Sequence, residues 1–243
     1  MGTLNPQANI AVVVPTYNEA ENLPVLAEAL FGLGIPGLRL MVVDDGSPDR
    51  TADVARRLAG RYGGRVELIE RPGKMGLGTA YVAGFAKVLA DGADYIVHMD
   101  ADLSHPPGTV PAMVESLASA DVVVGSRYVK GKSGDERTTT GRRLLSTLAN
   151  QSIRMATGVK VRDATSGFKA FRWEALASLD WAAFHCRGFA FQAEVAYACE
   201  RRNLVVVEYP IIFANRAKGV SKMSLGIVLE AAWQLLPLRF KKR

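Results

Sequence analysis

The chain has 243 residues, 49% of them hydrophobic and 22% charged, enough to bury a substantial core as one large domain or one domain plus an appendage. No low-complexity run argues for disorder, and a net charge of +6 points to an anionic partner: nucleic acid, a phosphorylated small molecule or an acidic membrane face. No basic stretch followed by an apolar run opens the sequence, so no signal peptide is read. The longest apolar tail segment, residues 223–238, carries Glu230 and falls short of the ~20 residues that a membrane-spanning helix needs.

In chain order, the β-branched apolar runs at 10–14, 38–43, 66–69, 95–99 and 121–124 predict buried strands. Between them, residues 23–31, 51–58, 79–89 and 109–117 carry apolar side chains at helical spacing, as in Leu26 with Leu30 and Val54 with Leu58. Asn22 before Pro24, and Asp49 before Thr51, mark helix starts. Strand–helix alternation with short connections implies an α/β fold with a doubly wound, mostly parallel sheet and flanking helices. Such sheets bind ligands outside the carboxyl ends of their strands. The polar groups after the first, second and fourth strands, Thr16 to Glu19, Asp44 to Asp49 and Asp100 to His105, should therefore meet at one crevice.

Beyond Ser126 the texture changes. Arg127 to Arg143 holds six basic and two acidic residues and leads into a helix over 142–157. The tail from Arg216 holds seven basic residues and one acid. There is no internal repeat and no linker. Residues 1–215 are read as one catalytic domain, and 216–243 as a basic loop and amphipathic helix of the same unit. Cys186 and Cys199 show neither metal-ligand spacing nor a CxxC motif; a disulfide is one reading, and two buried free thiols in a reducing cytoplasm is the favoured one.

Asp100-Ala101-Asp102 ends an apolar strand, and two carboxylates spaced by one residue suit a hard divalent cation such as Mg or Mn. A cation there could stabilise a departing diphosphate as negative charge develops on it. Asp44 and Asp45 are adjacent acids at another strand end, able to accept hydrogen bonds from a base or ribose. Gly46 would permit close backbone approach, and Asp49 caps the following helix. Tyr17 could stack on a nucleobase and Glu19 could accept from ribose or base, although the same segment also reads as a polar strand-to-helix turn. His98 reads as a packed core residue and His105 as a structural one.

These segments resemble glycosyltransferase family 2. The likeness is carried by Pro15-Thr16-Tyr17-Asn18-Glu19, Val43-Asp44-Asp45-Gly46-Ser47-Pro48-Asp49 and Asp100-Ala101-Asp102-Leu103-Ser104-His105-Pro106-Pro107. Gly76-Leu77-Gly78-Thr79-Ala80-Tyr81, Gly125-Ser126-Arg127-Tyr128, Asp163-Ala164-Thr165-Ser166-Gly167-Phe168 and Gly219-Val220-Ser221-Lys222-Met223 extend it over roughly residues 9–225. Within that family the set is most similar to the dolichol- or polyprenol-phosphate mannosyltransferases.

The resemblance implies a GT-A-type fold and inverting transfer of mannose from GDP-mannose to a dolichyl or polyprenyl phosphate. It places Pro15, Tyr17, Glu19, Val43 and Asp45 around guanosine, and Asp100, Ala101 and Asp102 near the diphosphate. Asp102 would be the principal metal ligand, with Asp100 and with Ser104, which stands where some relatives carry Gln. It sends Arg127 to phosphate and Arg142 or Arg143 to the lipid phosphate, and closes Arg216 and Lys222 over the donor. Arg50 replaces an expected Gly in a turn.

Arginine is suited to such anions because its planar fork matches phosphate oxygens bidentately. A phosphate acceptor is already ionised at neutral pH, so direct in-line attack needs no strong general base. Leu225, Val228, Leu229, Ala232, Leu235 and Leu236 share one helical face ahead of Arg239 and Lys241-Lys242-Arg243. That face either packs on the core or lies on an anionic membrane surface. A lipid acceptor places the protein at the cytoplasmic face of a membrane, with access supplied by a separate membrane-anchoring protein or a longer parent chain. Two rival readings are a polyprenyl-phosphate glucosyltransferase using UDP-glucose and a non-catalytic nucleotide-binding, membrane-associated module. Nucleic acid is not expected as a partner, because the basic residues do not alternate with exposed aromatics.

Overall fold

A computed structural model describes residues 7–129, 133–136, 140–186, 188–214 and 235. Its centre is a seven-stranded sheet formed by β1 (Ile10–Thr16), β2 (Leu38–Asp44), β3 (Val66–Glu70), β4 (Tyr95–His98), β5 (Val122–Ser126), β7 (Lys169–Arg172) and β8 (Val206–Pro210). The strand order is β3-β2-β1-β4-β7-β5-β8. Every pairing is parallel except those of β7, which runs antiparallel to both β4 and β5. A small parallel pair, β6 (Gly134–Asp135) with β9 (Ile212–Phe213), stands apart from the main sheet.

The side-chain alternation of a strand divides the core in two. Ile10, Val12 and Val14 of β1 face one cluster, built with Leu23, Leu26 and Leu30 of α1 (Leu23–Phe31) and Val54 and Leu58 of α2 (Thr51–Arg61). Val110 and Met113 of α4 (Val110–Ser116) complete that layer. Ala11 and Val13 face the other cluster, with Tyr81, Phe85 and Val88 of α3 (Leu77–Ala90) and Ile153 of α5 (Thr140–Thr157). Leu176 of α6 (Trp173–Ala177) and Phe191 and Val195 of α7 (Phe191–Arg201) close it. Helices thus cover both faces of a mostly parallel sheet, as the alternation in the sequence implies.

The predicted strands and helices of the first half stand within a few residues of those observed. Residues Pro107–Thr109 form a 3-10 turn ahead of α4, and β4 ends at His98. Both cysteines are buried and free. No helix among the described residues is long and apolar enough to cross a membrane. Of the expected C-terminal helix only Leu235 is described, buried within the cluster of Val13 and Ile153. The other tail residues, Arg216 and Lys222 included, lie outside the described set, as do the side chains of Arg142 and Arg143 in α5.

Candidate active site

The crevice begins where β1 and β2 end side by side. Asp44 is fully buried and acts as a staple: its carboxylate accepts from Thr16 Oγ1 at 2.9 Å and from the Ser47 backbone and hydroxyl at 2.9 and 2.6 Å. The next turns are laced together by Asn18 N–H to Ser47 Oγ at 3.0 Å, Glu19 N–H to Thr51 Oγ1 at 3.0 Å and Ala20 N–H to Asp49 Oδ2 at 3.0 Å. Asp49 also takes the Thr51 N–H and hydroxyl at 3.1 and 2.6 Å, so it caps α2 from one residue before the start position, Arg50. Arg50 itself holds φ +64°, which explains why glycine is expected there. The first two polar segments therefore converge as predicted.

Asp45 is not a free acceptor. Its carboxylate forms a buried ion pair with Arg71 at 2.9 Å, out of line for a hydrogen bond, and accepts the Met75 and Gly76 N–H groups at 3.1 and 3.3 Å. Arg71 Nη2 in turn donates to Thr79 Oγ1 at 2.6 Å. The segment 71–76 thereby folds onto Asp45, and Gly46, at φ +65°, lets it: a Cβ there would stand 2.9 Å from Gly73 Cα. Lys74 Nζ lies 4.8 Å over the Tyr17 ring. Glu19 accepts from Asn22 Nδ2 at 2.7 Å.

Val43, expected beside guanosine, has its side chain wholly buried in the core. Ala101 is likewise buried, tucked into the opposite cluster between the two aspartates.

The third polar segment follows β4. Helix α3 ties it to the rest: Gly76 and Thr79 at its start meet Asp45 and Arg71, and Tyr81 Oη donates to Asp100 Oδ1 at 3.4 Å. The Asp100 side chain is 36% exposed, whereas Asp102 is buried and accepts the Ser104 N–H at 3.0 Å. The Ser104 hydroxyl is buried beside it with no hydrogen-bond partner. Two carboxylates and one orphaned hydroxyl form an all-oxygen donor set that fits a hard divalent cation. Among the described residues no cluster of three or more His, Cys, Asp or Glu side chains surrounds a single point, so a cation here would complete its shell with ligand oxygens and water.

His105 is structural in the way its neighbourhood dictates. It is buried, stacked on Phe168 at 5.3 Å, and its Nδ1 accepts the Asp100 N–H at 3.2 Å. Burial pushes it down to about 4, with Arg127 adding to the effect and Asp102 opposing it, so at neutral pH it is the uncharged imidazole. His98 packs between Tyr81, Phe85 and Phe171 and is held well below its ordinary value by burial, then by Lys169 and His105.

Arg127 differs from the expectation that it meets phosphate. It is buried, and Asp163 takes its Nε at 2.8 Å, one Nη2 hydrogen at 2.7 Å and its backbone N–H at 3.0 Å. Thr165 and Ser146 accept two more hydrogens at 2.9 and 3.3 Å. Burial works against both charges, yet each partner prevails over it: Arg127 is held above its ordinary value and Asp163 below its own. The guanidinium is thus committed to joining β5, α5 and the 163–165 turn. Asp163 stood in the quoted motifs, but nothing in a spacing of 36 residues announces the pair. Arg71 and Lys74 were also missed, although they follow the carboxyl end of β3, where the convergence argument applies equally. A cavity of about 610 Å³ is lined by Lys160, Tyr197, Glu200 and Arg201 rather than by these acids.

Comparison with known proteins agrees with this geometry. Residues 11–179 match the family described as Glycosyl transferase family 2. A polyprenol monophosphomannose synthase of Mycolicibacterium smegmatis is 40% identical over 235 residues, covering 96% of this chain and 88% of that protein. An undecaprenyl-phosphate mannosyltransferase of Micrococcus luteus is 39% identical, covering 91% of this chain and 90% of its own length. The fold is shared with glucosyl-3-phosphoglycerate synthase of Mycobacterium tuberculosis, crystallised with Mn2+, UDP and glucosyl-3-phosphoglycerate. There the TM-score is 0.65 at 21% identity, over 96% of this chain and 78% of that one. With the family spanning most of the sheet and every strand tip described above, the chain belongs to glycosyl transferase family 2.

Proposed function

We propose that this protein transfers mannose from GDP-mannose to a polyprenyl phosphate, releasing GDP and inverting the anomeric centre. The observation that carries the reading is the Asp100–Asp102 pair at the tip of β4, fixed by α3 to the acid-lined tips of β1 and β2. The names of two relatives, similar over nearly their whole length, support mannose and a polyprenyl phosphate as the transferred group and acceptor.

Asp100, Asp102 and Ser104 would hold Mg2+ or Mn2+, which when bound supplies Lewis-acid stabilisation of the leaving diphosphate. Pro15, Tyr17, Glu19 and Asp45 flank the nucleotide side. Asp45 acts there through the segment it fastens, which carries Lys74 over the Tyr17 ring and so brings positive charge to the side where a nucleotide diphosphate would lie. An oxygen of the acceptor phosphate forms the new bond to the sugar carbon, and the bond to the diphosphate breaks with its electron pair. That oxygen is ionised beforehand, so the step needs no general base to create the nucleophile.

Arg142 and Arg143 are assigned to the lipid phosphate, and Arg216 and Lys222 to closure over the donor. Arg127 supports the acceptor side by anchoring α5, through Ser146, to the end of β5. The reaction would take place at the cytoplasmic face of a membrane, which the basic tail or a separate anchoring protein would engage.

The test is a transfer assay with purified protein, polyprenyl phosphate and either GDP-mannose or UDP-glucose. Mannolipid should form only from GDP-mannose, chelation should stop it, and Asp102→Asn should lower the rate about 10³-fold. Preferential use of UDP-glucose would remove the donor assignment, and indifference to chelator would remove the cation.

A further inference from the structure

The segment 163–168 has no chemistry of its own in the scheme above, yet its glycine touches the site. A Cβ built on Gly167 would stand 3.3 and 3.4 Å from the two carboxylate oxygens of Asp100 and 3.2 Å from His105 Cε1. Both oxygens of Asp100 therefore rest against the bare face of this residue, with Tyr81 Oη meeting Oδ1 from elsewhere at 3.4 Å.

The turn that carries Gly167 is fastened around it. Ser166 Oγ donates to the Gly125 carbonyl at 2.6 Å, and the Phe168 ring stacks on His105 at 5.3 Å. Lys169, fully buried, donates to the Ser166 carbonyl and, at 3.0 Å, to Gln192 Oε1. A buried ammonium is a costly way to make two neutral hydrogen bonds. Burial pushes Lys169 down to about 8, and Cys199, Asp163 and Asp100 offset part of that. The ammonium thus ties the turn that carries Gly167.

We infer that Gly167 and Lys169 are positioning residues for the cation. The missing side chain at 167 leaves room for the Asp100 carboxylate, and the Lys169 tether holds the turn that fixes its orientation. The inference rests on the assignment of a cation to Asp100 and Asp102. Groups that orient metal ligands typically affect affinity about 10- to 100-fold.

Free Mn2+ can be followed by electron paramagnetic resonance as it is titrated into the full chain with GDP. Metal-free GDP binding and thermal melting are measured alongside. Gly167→Ala adds contacts that need shifts of only a few tenths of an ångström, so it should fold as the parent does. In Gly167→Ala and in Lys169→Met, Mn2+ affinity should fall about 10- to 100-fold, with metal-free GDP binding unchanged. Excess Mn2+ should restore turnover in Gly167→Ala. Gly108→Ala, where an added Cβ meets nothing within 4 Å, should bind Mn2+ as the parent does. Parental Mn2+ affinity in Gly167→Ala, with affinity lost in Asp102→Asn, would overturn the inference alone. Affinity untouched by Asp102→Asn would overturn the cation assignment and this inference together.

Discussion

The two halves of the sheet hold their parts of the crevice by different means. On the β3-β2-β1-β4 side the strand tips are tied mainly by short hydroxyl–carboxylate bonds between neighbouring turns, such as Thr16 to Asp44 and Thr51 to Asp49. Each, as a hydrogen bond to a carboxylate, is worth about 1.5–3 kcal/mol, and losing one loosens one turn. On the β7-β5-β8 side the ties are made by charged side chains, Arg127, Asp163 and Lys169 among them wholly or nearly buried. Arg127 meets Asp163, Lys169 meets Gln192, and Glu208 accepts the Arg162 and Asp163 N–H groups at 3.1 and 3.0 Å. There the loss of one partner strands a charge in the interior. Asp45 with Arg71 is the exception on the first side, a buried pair that fastens the 71–76 segment to the tip of β2.

The sharpest way to break the comparison is to remove one member of the Arg127–Asp163 pair. Arg127→Met should destabilise the fold by about 3–5 kcal/mol, because Asp163 is left charged and buried. Adding Asp163→Leu should recover most of that loss, because the desolvation cost of both ions is then gone. Urea unfolding of the two single variants and the double variant gives the cycle. Additive losses would mean that the pair is not the tie it is taken for.

A smaller effect sharpens it through pH. Lys169 is held at about 8 in the fold against 10.5 ordinarily. Between those values the unfolded chain binds the extra proton, so this contribution to stability rises with pH, by on the order of 3 kcal/mol at most. Cys186 and Cys199, pushed up to about 12 from 9.0 by burial, act in the opposite direction: the unfolded thiols ionise first and stability falls above pH 9. The comparison of wild type with Lys169→Met cancels Cys186, and Cys199→Ala in both backgrounds removes the thiol that feels the Lys169 charge. The wild type should therefore gain on the variant as pH rises from 8 to 10, and a difference that stays flat would refute the buried ammonium.

The same division decides what could be read from the sequence. The first half is legible because its β-branched runs are long and its acids follow strand ends directly, so β1, β2 and β4 converge where the pattern places them. Arg71 was equally legible, at the end of β3, and was passed over. In the second half, β7 is only Lys169–Arg172, too short to carry a period, and its antiparallel insertion between β4 and β5 leaves no local mark. Arg127 was read as a phosphate ligand because it follows a strand at the crevice. Its partner is set by folding, not by spacing. Val43 was read as a pocket residue from its motif, yet alternation along β2 turns its side chain into the core.

The mildest prediction concerns a single turn on the side tied by hydroxyl–carboxylate bonds. Arg50 holds φ +64° and ψ 31°, a left-handed conformation that costs a residue with a Cβ about 1–2 kcal/mol. Glycine would shed that cost but carry about 0.5–1 kcal/mol of extra backbone entropy in the unfolded chain. Arg50→Gly should therefore stabilise by up to about 1 kcal/mol, a rise of roughly 2–4 °C in melting temperature for a chain of this size. Arg50→Ala keeps the Cβ and should give no such gain. Equal gains from both substitutions would place the effect in the lost charge instead of the backbone. Unchanged GDP binding in Arg50→Gly is also expected, because the capping bonds of Asp49 to Thr51 and Ala20 do not involve the Arg50 side chain.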